Sequence, residues 1–292
     1  MNPALPALAL VFNAFVWGVS WWPFRELQAR GLHPLWATAI VFIVSLCCVL
    51  IARPHAWRGF AGRPLLWVLM LATGMTNVGF NWAVTEGDVV RVVLLFYLMP
   101  AWSVMLAWPM LAEKPTAASL LRVALALAGV AVVLKAPGVA WPVPQGLADW
   151  LAVAGGFSFA LTNILLRKMG DAPTQARVLA MFSGGAIVST AAAMLGVAQG
   201  FVAPVPAPAL PWLLIAGVLA VGFMASNLAL QYGASRLPAH STSLIMLSEV
   251  IFASLSSVPL GTGEISARTL AGGALILLAA ALSAWPSKAA AN

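Results

Sequence analysis

Residues 87–134 read GDVVRVVLLFYLMPAWSVMLAWPMLAEKPTAASLLRVALALAGVAVVL. The stretch from Val92 to Ala112 carries no charge, and the apolar run after Pro115 carries only Arg122. About 20 uncharged residues, at 1.5 Å each, form a helix that is long enough to cross the hydrocarbon layer of a bilayer. The stretch therefore predicts two consecutive transmembrane helices.

A second copy of this helix pair lies later in the chain. An apolar run from Leu237 to Gly263, interrupted only by Glu249, is followed by Glu264, which lies 151 residues after Glu113. The segments NWAVTEG at 81–87 and NLALQYG at 227–233 lie 146 residues apart. These offsets predict a chain of five spans that is duplicated. Because five is odd, the copies have opposite orientations, which is the inverted repeat of many secondary transporters.

The composition excludes an ordinary soluble domain. The 292 residues are 62% hydrophobic and 8% charged, whereas about a quarter of the residues in soluble domains are charged. The mean hydropathy is +0.96. The net charge of +7 comes from Lys and Arg residues that stand mostly singly between apolar runs, as the positive-inside rule places them. We therefore predict an all-α polytopic membrane protein with no nucleic-acid partner.

Charges, prolines and run lengths divide the chain into ten spans, the first of which is expected to end at Pro23 and Arg25. They lie near residues 5–24, 34–52, 64–85, 92–112, 116–134, 147–166, 178–198, 211–233, 238–260 and 269–285. The proline-rich segment 136–146 predicts the boundary between a first five-helix repeat, residues 1–140, and a second, residues 141–292. With the N-terminus inside, ten of the 15 Lys and Arg residues lie on the inner side. We expect a bacterial-type inner (plasma) membrane protein with both termini cytoplasmic.

Short motifs in both halves resemble a known family. They are Trp17-Gly18, Asn81-Trp82-Ala83, Leu98-Met99-Pro100-Ala101 with Glu113, and Ser248-Glu249-Val250 with Glu264. Their order resembles the EamA-type members of the drug/metabolite transporter superfamily, and most closely the YddG-type exporters of aromatic and other neutral amino acids. The resemblance implies ten helices and export of small metabolites. The chain departs from it at Glu249-Val250, where many members have Glu-Pro.

Glu249 is the one acidic residue near the middle of a predicted span. A carboxylate in hydrocarbon costs several kcal/mol or more, so Glu249 should face protein or water. One interpretation is a gating, proton-sensitive or substrate-binding residue in a central cavity. The other is a hydrogen-bonded contact between spans nine and four, and Glu113 and Glu264 are expected to cap helix N-termini.

Amides and aromatic rings inside the spans are the other binding candidates. Asn77 and Asn81 share a helix face, as do Trp17 and Trp21. Amides can bind a zwitterion without a fixed charge, although interhelical hydrogen bonding explains any single one equally well. Deep rings either pack between helices or line an apolar pocket. The predicted substrate-binding residues are Trp17, Trp21, Asn77, Phe80, Asn81, Tyr97, Trp102, Asn163, Asn227 and Glu249.

These residues predict a secondary transporter that exports small metabolites, such as neutral or aromatic amino acids, by alternating access through a midplane cavity. Pro100 is expected to kink span four for that motion. A lipid or lipid-linked headgroup flippase or scramblase with the same fold is the alternative. No catalytic, metal-ligating or phosphate-loop pattern is present, so neither an enzyme nor a cofactor is expected. The sequence leaves a monomer and a homodimer open.

Overall fold

The computed structural model describes residues 4–135, 141, 143–234, 236, 245–263 and 265–284. Every regular element in these residues is helical, which confirms the all-α prediction for them. The α-helices are α1 Ala4–Val19, α2 Trp21–Ala29, α3 Pro34–Ala52, α4 Leu65–Glu86, α5 Val89–Phe96, α6 Met99–Leu111, α7 Ala117–Leu134, α8 Leu147–Lys168, α9 Thr174–Ala198, α10 Leu210–Ala234, α11 Ser248–Ser257 and α12 Ala267–Ala284. A short 3-10 helix covers Ala56–Phe60.

Seven segments of the described chain are long and apolar enough to cross a bilayer. They are Ala4–Ala29, Pro34–Ala52, Val89–Leu111, Ala117–Leu134, Leu147–Lys168, Thr174–Ala198 and Leu210–Leu230. The remaining predicted spans contain the helices α4, α11 and α12, and residues 238–244 of predicted span nine and residue 285 of span ten lie outside the described residues. We call α1 with α2 span one, α3 span two, α4 span three and α5 with α6 span four, and α7 to α12 are spans five to ten. The protein is a multi-pass membrane protein.

Helix starts follow local side-chain chemistry. His33 caps α3, whose first residue is Pro34, by accepting a hydrogen bond from the Leu35 N–H. Asp88 caps α5 by accepting from the Arg91 N–H at 2.7 Å. Thr116 and Ser119 form a reciprocal capping box at the start of α7. These caps set the starts of spans two, four and five, and α5 begins at Val89, before the predicted start of span four near residue 92.

Span one is longer than predicted. We expected Pro23 and Arg25 to end it, but the helix only turns at Ser20 and continues as α2 to Ala29. Pro23 occupies the first turn of α2, where backbone N–H groups have no intrahelical partner, so the proline ring interrupts no hydrogen bond. The prediction that Pro23 ends the span was therefore wrong.

Glycines let the central spans approach each other closely. Span three lies between spans six and seven. A Cβ added at Gly79 would stand 2.8 Å from the Leu151 carbonyl oxygen of span six, and one added at Gly184 of span seven would overlap the Met70 carbonyl oxygen. Small residues at helix crossings are the usual way to pack helices in a membrane. Span three is thereby held at the centre of the bundle.

This packing predicts that Gly184→Ala destabilises the protein by about 1–3 kcal/mol, because the added methyl group overlaps backbone that cannot move aside. Gly217→Ala is the matched control, since a Cβ at Gly217 meets nothing within 4 Å. Both changes gain the same helix propensity. Thermal unfolding in detergent should show a lower midpoint for Gly184→Ala only, and equal midpoints for the two variants would contradict the close crossing.

Candidate functional site

Span four is interrupted near its middle. Helix α5 ends at Phe96, Tyr97 and Leu98 form a turn, and α6 begins at Met99. Pro100 was expected to kink a continuous helix, but it lies in the first turn of α6, just after the break. A proline is compatible with this position because the N–H that it lacks would have no intrahelical partner there.

Span nine is interrupted in the corresponding place. Leu247 is a turn residue, α11 begins at Ser248, and Leu247 lies 150 residues after Tyr97. The Tyr97 hydroxyl donates to the Met246 carbonyl oxygen at 2.9 Å and lies 3.1 Å from Glu249 Oε2. Tyr97 is 2% exposed and Glu249 is 7% exposed. The two interrupted helices therefore meet through a buried tyrosine–glutamate contact.

A cavity of about 790 Å³ lies beside this contact, within the range of about 300–1,000 Å³ that is usual for small-molecule sites. It runs from the helix breaks to the exposed end of span four at Glu113 and Lys114. The predicted residues that line it are Trp17, Asn77, Phe80, Tyr97, Pro100, Asn163, Asn227 and Glu249. Whether these residues bind a substrate stays a prediction.

Trp21, Asn81 and Trp102 do not line this cavity. The Trp21 indole N–H donates to Ser256 Oγ at 2.9 Å, and the Asn81 amide donates to Thr38 Oγ1 at 3.2 Å. The turn at Ser20 separates Trp21 from the helix that carries Trp17, so their four-residue spacing no longer gives them a common face. Residue spacing describes one helix at a time. In the folded chain, Ser256 and Thr38 on other helices contact Trp21 and Asn81.

Trp102 does not line the cavity, because its ring packs against a neighbouring helix. Its ring packs edge to face with Phe157 of span six, with ring centroids 5.5 Å apart. It is therefore a ring packed between helices, the structural alternative for deep aromatic residues.

Aromatic rings form one wall of the cavity. The Trp17 ring packs edge to face on the Phe80 ring, with ring centroids 5.9 Å apart. Phe80 packs in the same way on Phe96, with centroids 4.9 Å apart, and the centroids of Phe96 and Phe159 are 5.6 Å apart. Phe96 and Phe159 were missed as site residues. Phe159 lies four residues before Asn163 on span six, so the same spacing rule would have placed it on the cavity face. The wall offers a ring-accepting apolar surface.

Amides provide polar groups at the same depth. The side-chain NH₂ groups of Asn77 and Asn227 donate to the Thr73 and Phe223 carbonyl oxygens of their own helices, at 2.8 and 3.0 Å. Each side chain therefore directs its oxygen, an acceptor, to the lining. Asn163 is exposed to the cavity. These amides offer uncharged hydrogen-bonding partners.

The exposed end of the cavity is basic. Lys114, Arg122 and Arg167 line it together with Glu113. Glu113 was expected to cap a helix N-terminus, but it pairs with Arg167 at 2.6 Å, and its predicted counterpart Glu264 lies outside the described residues. We call this end the Lys114 side.

The opposite end is fastened by buried polar contacts, and we call it the Arg91 side. Arg91 pairs with both carboxylate oxygens of Asp149, at 2.8 and 2.7 Å, and donates to the Val133 carbonyl oxygen at 2.8 Å. Arg25 donates to the carbonyl oxygens of Val84 and Gly87. Arg25 thereby links span one to span three, and Arg91 links span four to spans five and six. The sequence did not single out Asp149, although an acid in the first turn of an apolar helix was a usable signal.

Apolar packing and a neutral imidazole complete the Arg91 side. The residues from Val92 to Leu95 are each at most 2% exposed and separate the polar contacts from the cavity.

Partial burial lowers the pKa of His33, and the negative charge of Glu86 opposes this only in part. His33 Nδ1 accepts from the Leu35 N–H, which requires the unprotonated nitrogen that a lowered pKa favours. None of the described residues of this polar cluster lines the cavity.

Comparison with known proteins agrees with a membrane transporter. Residues 4–135 match the EamA-like transporter family, which indicates a transporter-type domain in the first part of the chain. A solved structure, described only as a crystal structure of a protein, is similar in fold with a TM-score of 0.58, at 17% identity over 95% of this chain and 94% of that one. No curated protein matches the sequence. The fold resemblance therefore covers nearly the whole chain.

The Arg91–Asp149 pair predicts a stability difference between two variants. Asp149→Asn should lower the free energy of unfolding by about 1–3 kcal/mol, because the partly buried guanidinium loses its charged partner. Glu26→Gln is the control, since it breaks the exposed Arg30–Glu26 pair, where losses stay below about 1 kcal/mol. Thermal unfolding in detergent measures both. Equal losses would show that the Arg91 side is not fastened by this pair.

Proposed function

We propose that the protein is a secondary transporter that exports neutral, chiefly aromatic, amino acids by alternating access. The observation that carries the proposal is the cavity bounded by aromatic rings and amides, which lies where two interrupted helices meet and whose described lining extends to the Lys114 side and includes no residue of the Arg91–Asp149 cluster. Broken helices around a site in the membrane are typical of secondary transporters.

The pattern of helix contacts supports an inverted repeat, residues 1–140 and 141–292. Span three packs on span six and span eight on span one, while span seven packs on span three and span two on span eight. Spans four and nine pack on spans six and one respectively. Each of these contacts therefore has a counterpart in which both spans are displaced by five positions along the chain. The matched residues 4–135 lie inside the first of these repeats.

A reciprocal crossing of spans five and ten supports the same symmetry. A Cβ added at Gly129 would stand 2.6 Å from the Gly272 oxygen, and one added at Gly272 would stand 2.6 Å from the Gly129 oxygen. The same added atoms approach the nitrogens of Ile276 and Val133, each at 3.0 Å. Equal contacts in both directions are what a two-fold axis between the spans would produce.

The lining favours a neutral substrate that carries a ring. Aromatic walls bind rings by stacking and edge contacts worth about 0.5–1.5 kcal/mol each beyond area burial. The amides can bind amino and carboxylate groups without a fixed charge. Among the described lining residues, the basic side chains stand at the mouth and not beside Asn77 and Phe80.

Orientation follows from the distribution of charge. With both termini cytoplasmic in a bacterial-type inner membrane, the Lys114 side faces the cytoplasm. The cavity is then open to the compartment from which an exporter loads. The fastened Arg91 side faces outward and has to loosen for release.

A lipid headgroup flippase is the second candidate function, because basic side chains line the mouth of the cavity. Lys114, Arg122 and Arg167 line it, and clusters of basic side chains near a membrane surface attract anionic headgroups. The two candidates differ in what crosses the membrane. An amino-acid carrier moves labelled amino acids, whereas a flippase moves labelled lipids between leaflets.

The test is uptake by proteoliposomes that contain the purified protein, without ATP. We expect saturable uptake of labelled phenylalanine and tryptophan, and exclusion of lysine and glutamate. Trp17→Leu should weaken uptake of both aromatic substrates by about tenfold, because a lost ring contact of about 1.4 kcal/mol has that effect on affinity. Trp22→Leu is the matched control, since Trp22 is 58% exposed at the outside of the bundle.

Two results would contradict this proposal. Equal losses in the two tryptophan variants would remove the aromatic wall from substrate binding. Movement of fluorescent lipids between leaflets, with no amino-acid uptake, would favour the flippase.

A further inference from the structure

The Tyr97 hydroxyl is shared by two acceptors. It lies 2.9 Å from the Met246 carbonyl oxygen and 3.1 Å from Glu249 Oε2. A phenol has one proton to donate, and a carbonyl oxygen can only accept. The hydroxyl therefore cannot donate a full hydrogen bond to both neighbours.

The distances favour donation to Met246. A hydroxyl that donates to an ionised carboxylate usually lies at about 2.5–2.7 Å, shorter than a bond to a neutral acceptor. Here the carboxyl contact, at 3.1 Å, is the longer of the two. If the tyrosine proton goes to Met246, the Glu249 contact is a hydrogen bond only when the carboxyl group carries a proton and donates to the phenol oxygen. The geometry thus favours a proton on Glu249.

No described cation compensates an ionised Glu249. Helix α11 packs against α1 and α5; α1 carries no charged residue, and the charged residue of α5, Arg91, is paired with Asp149. The charges that line the cavity, Glu113, Lys114, Arg122 and Arg167, stand at its mouth. Helix α6, 13 residues long, separates Glu113 and Lys114 at this mouth from the break in span four by about 20 Å at 1.5 Å per residue, much too far for an ion pair.

Glu249 is accessible through the cavity from the Lys114 side of the bundle. It lines the cavity that reaches the Lys114 side, while the packed residues Val92 to Leu95 and the Arg91–Asp149 pair lie toward the other. Its contact with Tyr97 joins spans four and nine at their breaks. A proton bound here is reachable from that side, at a point where two interrupted helices meet.

We propose that Glu249 is the binding site of a coupling proton, which is bound in this conformation and released on the other side of the membrane. The inference rests on the proposed transport function and specifies its energy source. Each cycle binds one proton to the carboxylate and releases one, so charge and atoms balance without another reactant. Tyr97 acts as a positioning residue, since its oxygen accepts from the protonated carboxyl group.

The proton site is tested first without any substrate. Infrared spectra of the protein in lipid vesicles near neutral pH should contain the C=O band of a protonated carboxyl group. The band should be absent in Glu249→Gln, unchanged in the surface control Glu26→Gln, and shifted in frequency in Tyr97→Phe, which removes the acceptor but keeps the acid. Absence of the band in the unaltered protein overturns the proposal.

Coupling is tested in the same vesicles with labelled phenylalanine. At zero membrane potential, a difference of one pH unit should produce a concentration ratio of up to about tenfold for one proton per substrate. The sign of the ratio distinguishes exchange from co-transport. Glu249→Gln should lose this gradient-driven ratio, whereas the surface control Glu26→Gln should keep it.

The outcomes separate the two proposals. A Glu249→Gln variant that still accumulates phenylalanine against the pH gradient overturns the proton site and leaves the transport function intact. An unaltered protein that exchanges no phenylalanine overturns the proposed function, while the infrared band still decides whether Glu249 holds a proton. If Glu249→Gln fails to fold, loss of the gradient-driven ratio in Tyr97→Phe supports the site, and a native ratio in that variant opposes it.

Discussion

Backbone polar groups in a hydrocarbon layer must find partners inside the protein, because each unpaired group costs several kcal/mol there. Two spans of this chain are nevertheless interrupted, span four at Tyr97 and Leu98 and span nine at Leu247, and such interruptions disturb the regular pattern of helical hydrogen bonds. The structure meets the constraint by bringing the breaks together. The Tyr97 hydroxyl of span four binds the Met246 carbonyl at the break of span nine, and a Cβ at Gly18 would stand 2.8 Å from the Glu249 carbonyl oxygen. Span one therefore lies close against the same junction.

The rest of the architecture follows from this junction. Interrupted helices cannot pack as two straight rods, and a cavity lies beside them. The Arg91 side is tied by an ion pair and by guanidinium–carbonyl bonds, whereas the Lys114 side carries exposed charges around the cavity. In an alternating-access carrier, the fastened end has to open when the cavity closes at the other.

Much of the fold could be predicted because membrane helices are determined by local properties. Run length, prolines and charges located spans two to eight to within a few residues, although the end of span one was misjudged because Pro23 occupies a first helical turn. The site was less predictable. Four-residue spacing identified a shared face for Asn77 and Asn81, but spacing cannot show that Thr38 covers Asn81. The pairing of Tyr97 with Glu249 joins positions 152 residues apart, and only the packing of spans four and nine produces it.

The central claim is that the cavity is open to one side of the membrane at a time. Its most direct test is a reporter cysteine at the cavity-lining Ser103, with Cys47 and Cys48 replaced by alanine, treated with a membrane-impermeant thiol reagent in vesicles of known orientation. A second reporter, Lys114→Cys, identifies the open face. The account predicts that Ser103→Cys reacts from the Lys114 side and is protected from the other. Equal reaction from both sides, as in a continuous pore, or from neither side, would contradict it.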